Sequence, residues 1–351
     1  MLPPSKSMQL GHMATTSFWR PFIKSQFLTK TRQAPAGTDL SGQVAIITGG
    51  STGLGFYSAR HLLSLKLSHL VLAVRSLERG ASAAQKLRSD YPAAKIEVWP
   101  LEMTSYPSIQ SFCERVDKDL PRLDITILNA GIIQPTFKVC STGHEEVVQV
   151  NYLSTFLLAI LMLPISKNKA PQDSPGRLTI VSSGTALWAK LATRNIRPFL
   201  TTFDDPEILP YNATQRYFDS KCLGHLFFAR LAEKVNGNDV IVNLVEPGMC
   251  KGSDLHRFAK GPVAVFLDTW KCIAGRNPED GAWTYIDAAV TKGKESHGSF
   301  CMDWDIHPFM NLVYLPEGKP VMDALWDETM AEFEFAGARE ILERIKMDNT
   351  T

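Results

Sequence analysis

Tyr217 and Lys221 stand four residues apart in a stretch that reads as a helix, so their side chains share one face. A phenol titrates near pH 10 by itself, and an ammonium beside it favours the phenolate. The pair has the makings of a proton donor and acceptor for a reacting oxygen. Upstream, Val44-Ala-Ile-Ile-Thr-Gly-Gly-Ser-Thr-Gly-Leu-Gly55 is an apolar β-branched run that stops in a glycine-rich turn ahead of helix formers. This pattern predicts strand, phosphate loop and helix N-terminus. Gly49 would permit the tight turn, Gly53 would let the backbone approach a pyrophosphate, and Gly55 would allow close packing of the following helix. The helix start then offers unbonded N–H groups and its positive dipole end to phosphates. A glycine loop by itself is weak evidence, because structural turns between strand and helix carry glycines too.

The elements needed to position these groups can be read along the chain. Strand His69–Val74 follows the first helix, and its tip carries Arg75 where a carboxylate would bind an adenosine ribose. A guanidinium there accommodates a 2′-phosphate and favours NADP, although Arg75 also reads as a solvated residue at a helix start. Helices at 80–88, 107–118, 143–163 and from Tyr217 alternate with strands at 95–100, 124–128, 177–181 and 239–245. Parallel strands with crossover helices predict an α/β doubly wound sheet, Rossmann-like, in one domain over 41–351. Small residues Asn129-Ala130-Gly131 close the fourth strand, which suits either a cofactor or a plain turn. Asn151 lies among apolar neighbours and must either tie helix to loop or hold a water. Residues 184–216 are long for a connection and rich in aromatics, so Trp188, Phe199 and Phe203 are expected to line a substrate pocket together with 249–275. A final helix is expected over 321–346, within a helical C-terminal extension 291–351.

Composition narrows the partners. A net charge of +1 gives no pull toward nucleic acid, and 44% hydrophobic residues can build a large core. Six scattered cysteines lack metal-ligand or disulfide spacing, so no metal is expected and a reducing, cytoplasmic setting fits. The longest apolar run, 156–165, is too short to span a bilayer and reads as a buried helix. Residues 1–40 form an arm that lacks acids up to Thr38 and carries Phe18, Trp19, Phe22, Ile23, Phe27 and Leu28. It reads first as an arm lying over the domain or a disordered tail, with a mitochondrial leader as the alternative.

Thr48-Gly-Gly-Ser-Thr52-Gly53-Leu54-Gly55, Asn129-Ala130-Gly131, Asn151, Ser183, Tyr217 with Lys221, and Pro247-Gly248 stand in an order that resembles the short-chain dehydrogenase/reductases over residues 42–290. Ser141–Asn151 and Arg276–Ala282 look like the retinol-dehydrogenase and protochlorophyllide-reductase-like group and fungal secondary-metabolite reductases. The resemblance implies that Tyr217 is the general acid and that Lys221 lowers its pKa and binds the nicotinamide ribose. It also implies that Ser183 donates to the substrate oxygen, that Asn151 holds a relay water, and that Glu102 replaces an Asp facing the adenine. Strand alternation points only one of Ser182 and Ser183 into the site, and family spacing selects Ser183. Leu128 departs from the family's usual Asn, and Gly252 and Ser253 stand where a Thr usually binds the nicotinamide amide. Tyr91 and Lys95 repeat the Tyr-x-x-x-Lys spacing across Pro92, a chance match.

The expected activity is NADP-dependent interconversion of a ketone or aldehyde and an alcohol on a bulky apolar molecule, with self-association left open. A catalytically silent NADP-binding redox sensor is the alternative. An epimerase of the extended branch is disfavoured, because its loop spacing is absent.

Overall fold

The computed structural model describes residues 4–13, 19–251 and 275–347. Eight strands form one sheet: β1 (Val44–Thr48), β2 (His69–Val74), β3 (Lys95–Pro100), β4 (Ile125–Leu128), β5 (Gly176–Val181), β6 (Val240–Glu246), β7 (Ser299–Met302) and β8 (Asp305–His307). Their order is β3-β2-β1-β4-β5-β6-β7-β8, parallel except for the β7–β8 pair. The chain therefore winds outward from β1 in one direction, then restarts at β4 on the other side. At that switch the loops leaving β1 and β4 diverge and open a crevice at the carboxyl edge.

Strand residues alternate between two cores. Val44 and Ile46 pack on one face with α3 (Tyr106–Asp119), α4 (Glu146–Lys169) and α5 (Ala213–Ala232), while Ala45 and Ile47 face α1 (Gly53–Ser64), α2 (Leu77–Asp90) and α6 (Pro278–Ile286). Helix α4 spans 24 residues and is apolar enough by length and composition to cross a membrane, but its apolar window is mostly buried in the domain. It serves as the central core helix. Its stretch Gln149–Ser154 is wound as a π-helix, and Asn151 sits in that stretch.

Three expectations change. The C-terminal extension contributes β7 and β8 to the sheet, joined by a two-residue turn with φ +53° at Asp303 and +62° at Trp304. Such a turn normally carries Asn-Gly, and these strands are only four and three residues long, so neither turn chemistry nor periodicity announced them. The expected last helix is two helices, α7 (Gly318–Glu332) and α8 (Ala338–Met347), separated at Gly337, whose φ is +64°. Within the insertion 184–216, Phe199 and Phe203 are fully buried in the main core rather than in a pocket. Their ring centroids are 5.5 Å apart, edge to face. The segment is held by Glu328 of α7, whose carboxylate accepts from the backbone N–H of Phe199 at 2.8 Å and of Leu200 at 2.7 Å.

Residues 190–210 thus pack as scaffold. Glu328→Ala should lower unfolding free energy by about 1–3 kcal/mol, because two amides lose a charged acceptor. Denaturant unfolding reads the loss, and cofactor affinity should be unchanged. A weakened cofactor affinity would show that this segment serves the site directly.

Candidate active site

The crevice at the strand switch is a cavity of about 660 Å³. Gly49, Thr52, Gly53, Leu54, Gly55, Arg75, Glu102, Asn129, Gly131, Ser183, Tyr217, Lys221, Pro247 and Gly248 all line it. Of the described residues assigned in the sequence to catalysis or cofactor binding, only Asn151 does not. Tyr91 and Lys95 are also absent from the lining. Lys95 opens β3 and pairs with Glu97, so that motif is a coincidence of spacing.

The phosphate loop is built for close approach. Gly49 and Gly53 have φ of +67° and +56°, and a Cβ on Gly53 would meet nothing within 4 Å. A Cβ on Gly55 would come within 2.6 Å of Asn129 Nδ2 and 2.7 Å of the Gly49 carbonyl oxygen. Gly55 is therefore needed for the contact between two loops, and not only for helix against strand. The Asn129 amide donates to the Thr48 carbonyl at 2.9 Å, and the Ala130 N–H donates to Thr48 Oγ1 at 2.9 Å, joining the exits of β1 and β4. Thr52 precedes α1 but its side chain caps no amide, so the first N–H groups of this helix have no side-chain acceptor from it. These features fit a dinucleotide pyrophosphate. At the end of β2, Arg79 joins Arg75 in the lining. It lies in the first turn of α2, four residues after Arg75, with its backbone N–H bonded to the Ser76 cap at 3.3 Å, and only that i, i+4 spacing marks it in the sequence. Glu102 turns back on its own loop, accepting from Thr104 N at 3.0 Å and Thr104 Oγ1 at 2.9 Å.

The catalytic end rests on α5. Lys221 is 7% exposed, and its Nζ donates to the Val181 carbonyl at 2.9 Å. Burial lowers its pKa to about 8. Its Nζ lies 5.9 Å from the Tyr217 ring centre. The Tyr217 phenol is pushed up to about 12 by burial, with the Ser183 hydrogen bond opposing and the Glu246 carboxylate adding to the rise. Desolvation of the phenol dominates here, with the Lys221 ammonium turned to the Val181 carbonyl. Ser183 Oγ accepts from Thr185 Oγ1 at 2.9 Å and faces Tyr217, whereas Ser182 Oγ is bound by His225 Nε2 at 3.0 Å. Of the two serines, Ser183 has the catalytic aspect.

Asn151 acts as a tie. Its Nδ2 donates to the Ile132 carbonyl at 2.8 Å and to Ser220 Oγ at 3.0 Å, and its Oδ1 accepts from Ile132 N at 2.8 Å. Helix α4, the β4 exit and helix α5 are fastened at one amide, 3% exposed. Of the two readings left open for it, the geometry supplies the first.

The far wall comes from outside the expected set. Phe22, Ser25 and Gln26 of the N-terminal arm line the cavity. They are held by Arg276, 8% exposed, which donates to the Ser25 carbonyl at 2.6 Å, to the Pro247 carbonyl at 3.1 Å and to Asp303. Ser25 Oγ in turn donates to Asp303 at 2.8 Å. Glu246, buried at the end of β6, also faces the cavity and was overlooked in the sequence because it precedes Pro247-Gly248 as one more strand residue. Met249, Cys250, Lys251 and Met302 also line this side; the expected contributions of Gly252, Ser253 and the remainder of 249–275 lie outside the described residues, apart from Gly275. Among the described residues, no three His, Cys, Asp or Glu side chains could hold a metal ion.

Comparison with known proteins decides the family. Residues 43–192 match the model for short chain dehydrogenase. The chain is 51% identical over 341 residues to the short chain dehydrogenase/reductase mfmJ of Annulohypoxylon moriforme, covering 97% of this chain and 98% of that protein. The chain belongs to the short-chain dehydrogenase/reductase family. It is 41% identical to the short chain dehydrogenase virL of Hypocrea virens, over 93% of this chain and 94% of that one. In fold it matches the Pseudomonas aeruginosa protein RhlG, solved as an NADP active-site complex, with TM-score 0.59 and 22% identity over 79% of this chain and 98% of that chain. As an oxidoreductase of this family it takes a nicotinamide cofactor. The alignment to mfmJ, by its extent, includes most of the arm.

A buried cation costs stability while it stays charged. Between pH about 8 and 10 the unfolded chain binds a proton at Lys221 that the folded chain has released, so stability rises with pH across that window. Lys221→Met, measured without cofactor, should therefore raise Tm relative to the native chain most at pH 7, and the gap should close by pH 10. A gap independent of pH would show that the ammonium is not penalised in the fold.

Proposed function

We propose that the protein is an NADP-dependent reductase of a bulky ketone or aldehyde, or a dehydrogenase in the reverse direction, working in secondary metabolism. The observation that carries the cofactor choice is the pair Arg75 and Arg79 at the tip of β2, where no acidic side chain stands among the residues lining that end of the cavity beyond Glu102. Two guanidiniums suit a 2′-phosphate. A nicotinamide held in this cavity would supply or take up the hydride at the carbonyl carbon. The chain supplies the rest. Ser183 donates to the substrate oxygen and holds it beside Tyr217, whose phenol delivers the proton to the alkoxide. Lys221, withdrawn from Val181, would serve the ribose and favour the phenolate. Asn151 keeps the loop at Gly131 and helix α5 in register.

Arg75→Asp should weaken NADPH binding about tenfold and Arg75→Asp with Arg79→Asp should reverse the preference against NADH, read by fluorescence titration. Both side chains are exposed, so the effect should shrink with salt. Equal affinity of the native chain for NADPH and NADH would overturn the cofactor assignment. Tyr217→Phe should abolish turnover while leaving NADPH affinity nearly intact, and Tyr91→Phe should be silent. A Tyr217→Phe enzyme with normal kcat would place the proton donor elsewhere.

A further inference from the structure

Glu246 stands in the reacting end of the cavity without an ionic partner. It is 4% exposed, and it lines the cavity with Ser183, Gly184 and Tyr217. Its Oε2 accepts from Gly248 N at 2.8 Å, and the Gly184 N–H also bonds it. A Cβ placed on Gly184 would lie 3.6 Å from its Cδ and Oε2, so the carboxyl is pressed against the residue that follows the catalytic serine. Arg276 is the nearest cation, but its hydrogen bonds go to Pro247, Ser25 and Asp303. No salt bridge to Glu246 is formed among the described residues.

A carboxylate has about four acceptor positions, and two backbone amides occupy two of them. Carboxyl groups buried in an apolar site are costly unless something donates to them. Both amides are donors, so the oxygens they reach are held as acceptors. Met249, Cys250, Met302 and Phe22 of this wall carry no strong side-chain donor; Ser25 and Gln26 also line it, but Ser25 Oγ donates to Asp303 and Gln26 Nε2 to Ser25 Oγ, and no bond joins Lys251 to Glu246 among the described residues.

We propose that Glu246 is a specificity-determining residue that accepts a hydrogen bond from a hydroxyl of the substrate. The substrate is then a carbonyl compound with an alcohol or phenol O–H close to the carbonyl that reacts, since Ser183 and Tyr217 hold the reacting oxygen beside Gly184. A methyl ether in that position can neither donate nor fit as closely. The inference rests on the proposed carbonyl chemistry for its kinetic test, and the binding test below is independent of it.

Pairs of bulky aryl ketones that differ only in a free hydroxyl or its methyl ether, near the carbonyl, provide the measurement. The native enzyme with NADPH should prefer the hydroxyl member at least tenfold in kcat/KM, and Glu246→Leu should bring the ratio close to one. In Glu246→Gln the amide oxygen can take the Gly248 N–H and turn the NH2 toward the cavity, so the ratio should fall and tilt toward the ether. The second arm uses the matching hydroxyarenes without a carbonyl, titrated by calorimetry into protein saturated with NADP. Native protein should bind the phenol at least tenfold more tightly than its ether, and the two variants should not. A native ratio near one in either arm, or a ratio kept by well-folded Glu246→Leu, would overturn the proposal. If no ketone is turned over while the binding preference stands, the carbonyl chemistry fails and the role of Glu246 does not.

Discussion

A charged ammonium held out of water governs the geometry of the catalytic end. Lys221 has one protein acceptor, the Val181 carbonyl at the last residue of β5, and that bond fixes how α5 meets the sheet. Because Tyr217 is one turn earlier on the same helix and Ser183 is two residues past Val181, both hydroxyls are placed by the same contact. The Asn151 amide secures the other side, reaching Ser220 next to Lys221 and the Ile132 backbone beyond Gly131. A Cβ on Gly131 would lie 3.3 Å from Asn151 Oδ1 and 3.6 Å from Lys221 Nζ, so the loop, the amide and the ammonium are packed at contact distance. The π-turn in α4 is the local irregularity that presents Asn151 there, a departure from regular helix of the kind that recurs at functional sites.

The halves of the molecule differed in how much the sequence disclosed. From β1 to β6 the strands alternate regularly with helices, and most of the site residues sit at element ends, where alternation and helical spacing have few alternatives. The phosphate loop, Ser183, Tyr217 and Lys221 were legible for that reason. Beyond β6 the strands are short, the β7–β8 turn uses Asp and Trp in a left-handed conformation, and the two last helices share one polar-apolar pattern that a single glycine interrupts. Nothing local marks such features. Phe199 and Phe203 show the opposite error: aromatic residues in a loop look like pocket walls until the core that receives them is known.

Glu246, Arg276 and Asp303 were missed because their meaning is relational. Each is an ordinary charged residue in its own segment. Together they meet at the end of β6, where Arg276 joins the backbone at Pro247 to Asp303 and to the arm, and Glu246 is left facing the cavity. The strained turn at Asp303 and Trp304 is consistent with this: Asp303 is held by the guanidinium, and Trp304 lies under it, 5.1 Å from ring centre to Arg276 Cζ. The burial of three charged groups near one another explains why the Glu246 carboxyl is pushed up to about 7, with Asp303 raising it and Arg276 opposing.

The arm has a consequence for the order in which the molecule is completed. Ser7 bonds His307 across 300 positions of sequence, Ser25 bonds Asp303 across 278, and Arg276 reaches back to Ser25 across 251. On the ribosome the arm emerges first, yet every one of these docking partners is among the last quarter of the chain to be made. The nucleotide loop and the catalytic helix can be assembled by then, but the cavity still lacks one wall. Closing so wide a loop carries an entropic cost, and the wall that Phe22, Ser25 and Gln26 give the cavity depends on meeting it.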